Sequence, residues 1–137
     1  MKAKSVVVSG LVSGLVIFAV GIIVNLAVQA VSPYDVLKLG GMRSPEDPVT
    51  MLFFLYPWVT GFALAIVYSY VGKSLEGTAT QKGLRFGLLM WLVSSLPSAY
   101  VVYTSMNYPA AFSVSSIVSS LVYMPLAGMA IARMTKK

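Results

Sequence analysis

The sequence predicts an all-α integral membrane protein whose four transmembrane helices form an up-down-up-down bundle. Three long stretches, residues 5–34, 48–72 and 86–132, contain no Asp, Glu, Lys or Arg. Charged residues make up 10% of the chain, whereas about a quarter is typical of soluble domains. The chain is 58% hydrophobic, with a mean hydropathy of +0.83. A helix crosses the bilayer core with about 20 apolar residues, so the first two stretches hold one helix each and the third holds two.

Helix 1 is predicted over residues 5–32. Pro33 ends it, because the residue before a proline avoids the helical conformation. Lys2 and Lys4 ahead of an apolar run are also typical of a secretory signal, but the apolar region of a signal is only about 7–15 residues long. The uncharged run here is longer, so we expect a transmembrane helix.

Helix 2 is predicted over residues 45–71 from the residues at its start. Ser44 is a suitable N-cap and Pro45 suits the first helical position. Glu46 and Asp47 then place negative charge at the positive end of the helix dipole. These features fix the start of the helix at Pro45.

Helices 3 and 4 are predicted over residues 79–103 and 110–134. Thr78 and Gln81 have the spacing of a capping box, in which each side chain accepts a hydrogen bond from the backbone of the other. The turn at residues 107–109 separates the two helices. Four helices and short connections account for all 137 residues as a single domain.

The distribution of basic residues predicts the orientation, because Lys and Arg concentrate in cytoplasmic loops. Eight of the ten Lys and Arg residues lie at one end of the predicted bundle: Lys2, Lys4, Lys73, Lys82, Arg85, Arg133, Lys136 and Lys137. Lys38 and Arg43 lie at the other end. We therefore expect a multi-pass protein of the plasma membrane with both termini in the cytoplasm.

Composition argues against several classes of function. The chain has no Cys and no His, which removes thiolate chemistry and the commonest metal and haem ligand. No ionisable side chain lies in the middle of a predicted helix, whereas proton-coupled transporters and intramembrane enzymes usually need one there. We expect no catalytic residues, metal or cofactor. The net charge of +6 lies at helix ends, which favours contact with membrane lipid over nucleic acid.

Small residues predict where helices approach each other, because membrane helices associate through close packing and interhelical hydrogen bonds. The predicted packing residues are Gly10, Gly14 and Gly21 on helix 1, and Ser116, Ser120 and Gly128 on helix 4. The face of helix 1 suits either packing within the chain or a homodimer interface. The serines of helix 4 suit either packing or a polar path.

Prolines and tryptophans within the helices predict a pocket in the outer half of the membrane, between helices 1, 2 and 3. Proline frees a backbone carbonyl, which must then find a donor or line a wet cavity. A tryptophan near the middle of an apolar run needs a partner for its indole N–H. The residues predicted to line this pocket are Asn25, Pro57, Trp58, Trp91, Ser95 and Pro97.

Two functional hypotheses follow from these features. The first is a non-enzymatic accessory subunit, or a self-associating subunit, that acts through its small-residue faces with another copy or another membrane protein. The second is a small transporter or channel for a neutral or lipophilic solute that uses the outer-half pocket.

Overall fold

A computed structural model describes residues 3–135, and within this range the protein is all-helical, with no strand. Four helices are long and apolar enough to cross a membrane: Ala3–Val31, Pro48–Val71, Ala79–Ser105 and Ala110–Met134. We call them helices 1 to 4. Lys2, Lys136 and Lys137, which contribute to the predicted orientation, lie outside the described residues.

Helix 1 ends at Val31, as Pro33 predicts, and a short 3₁₀ helix, Val36–Lys38, lies in the connection that follows. In that connection Lys38 forms an ion pair with Asp35 at 3.4 Å. The connection therefore keeps its charges outside the four long helices.

Helix 2 begins three residues later than predicted, at Pro48. The sequence offers two cap-and-proline pairs, and the helix uses Asp47 with Pro48 rather than Ser44 with Pro45. The Asp47 carboxylate accepts a hydrogen bond from the Val49 N–H at 2.9 Å. Ser44 instead forms a turn in which its backbone carbonyl accepts the Asp47 N–H at 3.0 Å.

The first part of helix 2 is a 3₁₀ helix, Pro48–Leu55, which continues as an α-helix, Tyr56–Val71. Eight residues is long for a 3₁₀ helix, since runs beyond three or four are uncommon. None of its residues is buried. The start of helix 2 therefore presents an apolar surface that the rest of the chain does not cover.

Helix 3 starts at the predicted capping box, and both of its hydrogen bonds are present between Thr78 and Gln81. Its α-helix, Ala79–Met90, gives way to a π-helix, Trp91–Ser95, before an α-helix resumes at Leu96–Ser105. The wider turn suits Pro97, because proline has no N–H to give to the preceding turn. The Leu96 N–H instead bonds to the carbonyl of Trp91.

Helix 4, Ala110–Met134, has the predicted bounds and is the centre of the bundle. In the apolar 18-residue stretch of each helix, half of the residues are buried in helix 4, compared with 17% in helix 2 and 17% in helix 3. It packs along helix 1 on one side and along helix 3 on the other, while helix 2 packs against helix 1. The lateral order is therefore 2-1-4-3, and helices 2 and 3 scarcely approach each other although they are consecutive.

The buried apolar core lies around helix 4. Its members are Ile17, Leu64, Ala65, Tyr68, Phe86, Tyr123, Met124, Ala127, Ile131 and Ala132. Tyr68 and Phe86 meet edge to face with ring centroids 5.1 Å apart. This contact links helices 2 and 3 across the gap between their backbones.

A serine-lined cavity between helices 2, 3 and 4

A cavity of about 230 Å³ lies between helices 2, 3 and 4, at the end of the bundle where helix 2 begins. Its lining is uncharged and rich in hydroxyl groups. The lining residues are Tyr56, Ser95, Ser98, Ala99, Val102, Phe112, Ser113, Ser116, Ser120 and Tyr123. Helix 4 contributes half of them, because its serines recur at the spacing of one helical face.

The hydroxyl groups in the cavity fall into two sets. Ser116 and Ser120 donate to backbone carbonyls one turn earlier in helix 4, at 3.0 Å and 2.7 Å. The hydroxyl groups of Ser98 and Ser113 form no hydrogen bond with any residue between 3 and 135. Ser98 is exposed, whereas Ser113 is 6% exposed. Since a hydroxyl can both donate and accept, this pair can bond an occupant of the cavity.

Two hydrogen bonds between helices hold the walls of the cavity in place. The indole N–H of Trp91 donates to the Ser120 hydroxyl at 3.1 Å, which ties helix 3 to helix 4. The hydroxyl oxygens of Tyr56 and Tyr123 are 3.1 Å apart, which ties helix 2 to helix 4. The sequence predicted that the indole N–H of Trp91 would need a partner within the bundle. The structure gives Ser120, because the lateral order brings helix 4 beside helix 3.

The predicted pocket between helices 1, 2 and 3 differs from the cavity in the structure. Only Ser95, of the six residues predicted for that pocket, borders the cavity. The others are Asn25, Pro57, Trp58, Trp91 and Pro97. Asn25 accepts a hydrogen bond from the Tyr34 hydroxyl at 3.0 Å, at the end of helix 1. Pro57 lies in the first turn of the α-helix of helix 2, and Pro97 in the first turn after the π-helix.

Trp58 fills part of the interface between helices 1 and 2. Its ring lies 5.5 Å from the ring of Phe18, centroid to centroid. A methyl group added to Gly14 would lie 2.6 Å from the Trp58 ring. The tryptophan therefore occupies space in which the sequence predicted part of a pocket.

The predicted packing face of helix 1 lies against helix 2 of the same chain. A methyl group at Gly61 would lie 2.5 Å from the Gly14 nitrogen and 2.6 Å from the Gly10 carbonyl oxygen. The backbones of the two helices are therefore in contact there. Gly21 has no neighbouring atom within 4 Å of the position of an added methyl group. The close approach thus extends over Gly10 and Gly14 and stops before Gly21.

A second glycine contact joins helices 3 and 4. Methyl groups at Gly83 and Gly87 would overlap the backbone of helix 4, at Gly128–Met129 and at Met124–Pro125 respectively. The sequence prediction included Gly128 but not Gly83, Gly87 or Gly61. Gly83 and Gly87 are four residues apart, and this spacing alone marks a candidate close approach.

A second, larger cavity of about 810 Å³ lies between the same three helices at the opposite end of the bundle. Residues from helix 2 and helix 3 and the end of helix 4 line it, as do Gly72, Lys73 and Gly77 of the connection between helices 2 and 3. Buried core residues, among them Ala65, Phe86 and Ala127, separate it from the serine-lined cavity. The gap between helices 2 and 3 is therefore open at both ends and closed in the middle.

Residues 3–135 contain no group of three or more His, Cys, Asp or Glu side chains placed to hold a metal ion. The serine-lined cavity also has no carboxylate, imidazole or amine in its lining. Its chemistry is that of neutral hydroxyl groups beside aromatic and aliphatic walls. No family model, curated protein or solved structure matches this chain.

Proposed function

We propose that this is a non-enzymatic membrane protein that binds a small neutral solute in the serine-lined cavity and conducts it between the two cavities. The observation that carries the proposal is an uncharged cavity in which the hydroxyls of Ser98 and Ser113 have no partner among residues 3–135. The Ser113 hydroxyl is accessible, because no fully buried polar side-chain atom of residues 3–135 lacks a hydrogen-bond partner, and Ser98 is exposed. A hydroxyl-bearing solute in the cavity can therefore both donate to and accept from these two groups.

The lining favours neutral solutes over ions. Transfer of a charge into a cavity without a compensating charge is far more costly than transfer of a hydroxyl group. Cation channels meet this cost with rings of carbonyl or carboxylate oxygens, whereas the polar groups here are serine and tyrosine hydroxyls. A small alcohol or polyol, with hydroxyls that donate and accept, matches this chemistry.

Cavity size limits the solute. A volume of about 230 Å³ corresponds to roughly eight water molecules at about 30 Å³ each. A three-carbon polyol such as glycerol fits within this volume, and a disaccharide does not. We therefore expect selection against solutes much larger than glycerol.

Passage requires a movement in the middle of the bundle. Phe86 and Ala127 are 1% and 0% exposed, and they lie in the core between the cavities. Helices 2 and 3 meet there through Tyr68 and Phe86 rather than through close backbone contact. Passage would require these two rings and the core residues beside them, among them Ala65 and Ala127, to move apart.

Our proposal places the protein in the plasma membrane as a multi-pass protein with both termini in the cytoplasm. Four long apolar helices and the excess of Lys and Arg at one end of the bundle support this orientation. The serine-lined cavity then lies in the outer half of the membrane, and the larger cavity lies near the cytoplasmic surface.

Solute entry into proteoliposomes tests the proposal. After an osmotic shock with glycerol, vesicles that contain the protein should re-swell faster than empty vesicles. Ser98→Leu should slow the re-swelling several-fold, since it places an apolar side chain in the cavity. Ser94→Leu is the matched control, because Ser94 is exposed and outside the lining. Equal rates for empty and protein-containing vesicles, or for the two variants, would contradict the proposal.

The second candidate is an accessory or self-associating membrane subunit. The observation that favours it is the uncovered apolar 3₁₀ helix, Pro48–Leu55, with Phe53 and Phe54 54% and 53% exposed. Of the glycines first expected to mediate association, Gly10, Gly14 and Gly128 are in close contact within the chain, whereas Gly21 is not. Mass measurement in detergent decides this candidate, since a strict monomer with no co-purifying protein would argue strongly against it.

A further inference from the structure

The larger cavity differs from the serine-lined cavity in charge. Two of its lining residues are lysines: Lys73 at the end of helix 2 and Lys82 in the second turn of helix 3. Lys82 is half-buried, whereas Lys73 is exposed. No carboxylate among residues 3–135 lines the cavity. Its lining therefore carries a net positive charge.

Further hydrogen-bond donors face the cavity from the start of helix 3. Thr78, Ala79 and Gln81 line it, and the first N–H groups of a helix have no partner within the helix. The Gln81 side-chain oxygen accepts the Thr78 N–H at 2.9 Å, so the amide group of Gln81 keeps its own N–H donors. The C-terminal ends of helices 2 and 4 also lie near this cavity and disfavour an anion. The attraction for an anion therefore comes mainly from the two lysines.

Acidic and basic groups near the cavity are arranged to keep it positive. Glu76, in the connection between helices 2 and 3, is exposed and outside the lining. Arg133 of helix 4 donates to the Thr80 hydroxyl at 3.2 Å, beside the start of helix 3. Arg85 donates to the backbone carbonyl of Glu76 at 3.4 Å. Thr80 and Glu76 are next in sequence to lining residues, so both guanidinium groups lie beside the cavity rather than in its lining.

We propose that this cavity binds a phosphate-bearing anion between Lys73 and Lys82, with the headgroup of an anionic phospholipid or a soluble phosphate compound as its source. The cavity lies at the end of three apolar helices, and its lining includes Tyr68, whose ring packs on Phe86. A phospholipid would place its phosphate at the lysines and its chains along the apolar faces of helices 2 and 3. This inference does not depend on solute passage through the serine-lined cavity.

Lipid retention measured by native mass spectrometry tests the proposal. The purified protein is equilibrated with phosphatidylglycerol or with phosphatidylcholine. The test variant is Lys73→Gln with Lys82→Gln, and the control is Lys4→Gln with Lys38→Gln, which removes the same charge outside the cavity. At about 1 kcal/mol for each lysine, the test variant should bind phosphatidylglycerol roughly thirtyfold more weakly, whereas the control should match the unmodified protein.

A charge-preserving variant, Lys73→Arg with Lys82→Arg, should retain phosphatidylglycerol if the site recognises phosphate. Displacement of the lipid by millimolar inorganic phosphate would support the site and assign it to a soluble compound. If phosphatidylglycerol stays bound in the presence of phosphate and phosphatidylcholine binds more weakly, the site is supported and its ligand is a lipid. Equal retention by the test and control variants, or of the two lipids, would overturn the proposal. Glycerol entry into vesicles is a separate measurement, so failure of one proposal is distinguishable from failure of the other.

Discussion

Two kinds of helix interface coexist in this bundle, and they differ in which small residue lies at the contact. Helices 1 and 2, and helices 3 and 4, meet through glycines whose backbones are in direct contact. Helices 2 and 3 instead face each other across a gap with a cavity at each end. Glycines lie at the closest backbone contacts, whereas serine and tyrosine hydroxyl groups line the cavity at one end of the gap.

The difference follows from what drives association in a bilayer. Lipid tails are as apolar as a leucine side chain, so helices gain little from covering apolar surface and gain more from close contact of backbones. The glycine interfaces provide that contact, and they fix helix 1 on helix 2 and helix 3 on helix 4. Helices 2 and 3 are then held apart by helix 4, and their gap is free to serve another purpose.

The largest expected effect is on the interface of helices 3 and 4. Gly87→Ala should lower the free energy of unfolding by about 1–3 kcal/mol, the usual cost of overpacking. The physical reason is that the added methyl group would overlap the Met124 carbonyl oxygen and the Pro125 Cα, which are backbone atoms. Unfolding by sodium dodecyl sulfate, monitored by circular dichroism, measures the change.

Gly21→Ala is the matched control for this prediction. No atom lies within 4 Å of the added methyl group, and alanine is favoured over glycine in a helix by up to about 1 kcal/mol. The control should therefore be neutral or slightly stabilising. A Gly87→Ala variant as stable as Gly21→Ala would show that the two helices do not approach as closely as described.

A smaller effect is expected at the gap, where hydrogen bonds replace backbone contact. The bond from the Trp91 indole to the Ser120 hydroxyl, 3.1 Å long, should contribute about 0.6 kcal/mol, the average for such bonds in a membrane protein. A double-mutant cycle of Trp91→Phe and Ser120→Ala measures this coupling. The same cycle with Trp58→Phe is the control, since Trp58 packs on helix 1. Equal coupling energies in the two cycles would show that the bond between Trp91 and Ser120 does not stabilise the contact of helices 3 and 4.

Much of the fold could be predicted because charge gaps and caps are local features. The bounds of helix 4 and the capping box at Thr78 and Gln81 depend on residues close in sequence. The start of helix 2 was displaced because Ser44-Pro45 and Asp47-Pro48 are both acceptable starts, and only the fold selects between them.

The cavity was harder to predict because it depends on the lateral order of the helices. The pocket between helices 1, 2 and 3 was predicted from the depth of prolines, tryptophans and polar residues, which does not specify which helices are neighbours. The structure instead places helix 4 between helices 1 and 3, which brings Ser113 and Ser116 opposite Ser95 and Ser98. The polar path considered for the helix 4 serines corresponds to this cavity wall.

The smallest expected effect concerns the exposed start of helix 2, which precedes the parts of the helix at the gap and at the glycine interface. The Val49 N–H and then the Arg43 guanidinium, 2.8 Å away, hold the pKa of Asp47 below its usual value. A carboxyl group whose pKa is lowered by folding stabilises the protein above its unfolded pKa, about 3.9, and that stabilisation is lost as the pH falls through the lowered value. Acidification from pH 5 should therefore loosen the helix start.

Asp47→Asn isolates this effect, because asparagine still caps a helix but carries no charge to titrate. Between pH 5 and the lowered pKa of Asp47, the unmodified protein should lose slightly more thermal stability than the variant. The other carboxylates, Asp35, Glu46 and Glu76, are common to both proteins and cancel in the comparison. Identical acid dependence would mean that the start of helix 2 is set by Pro48 and by packing rather than by the charge of its cap.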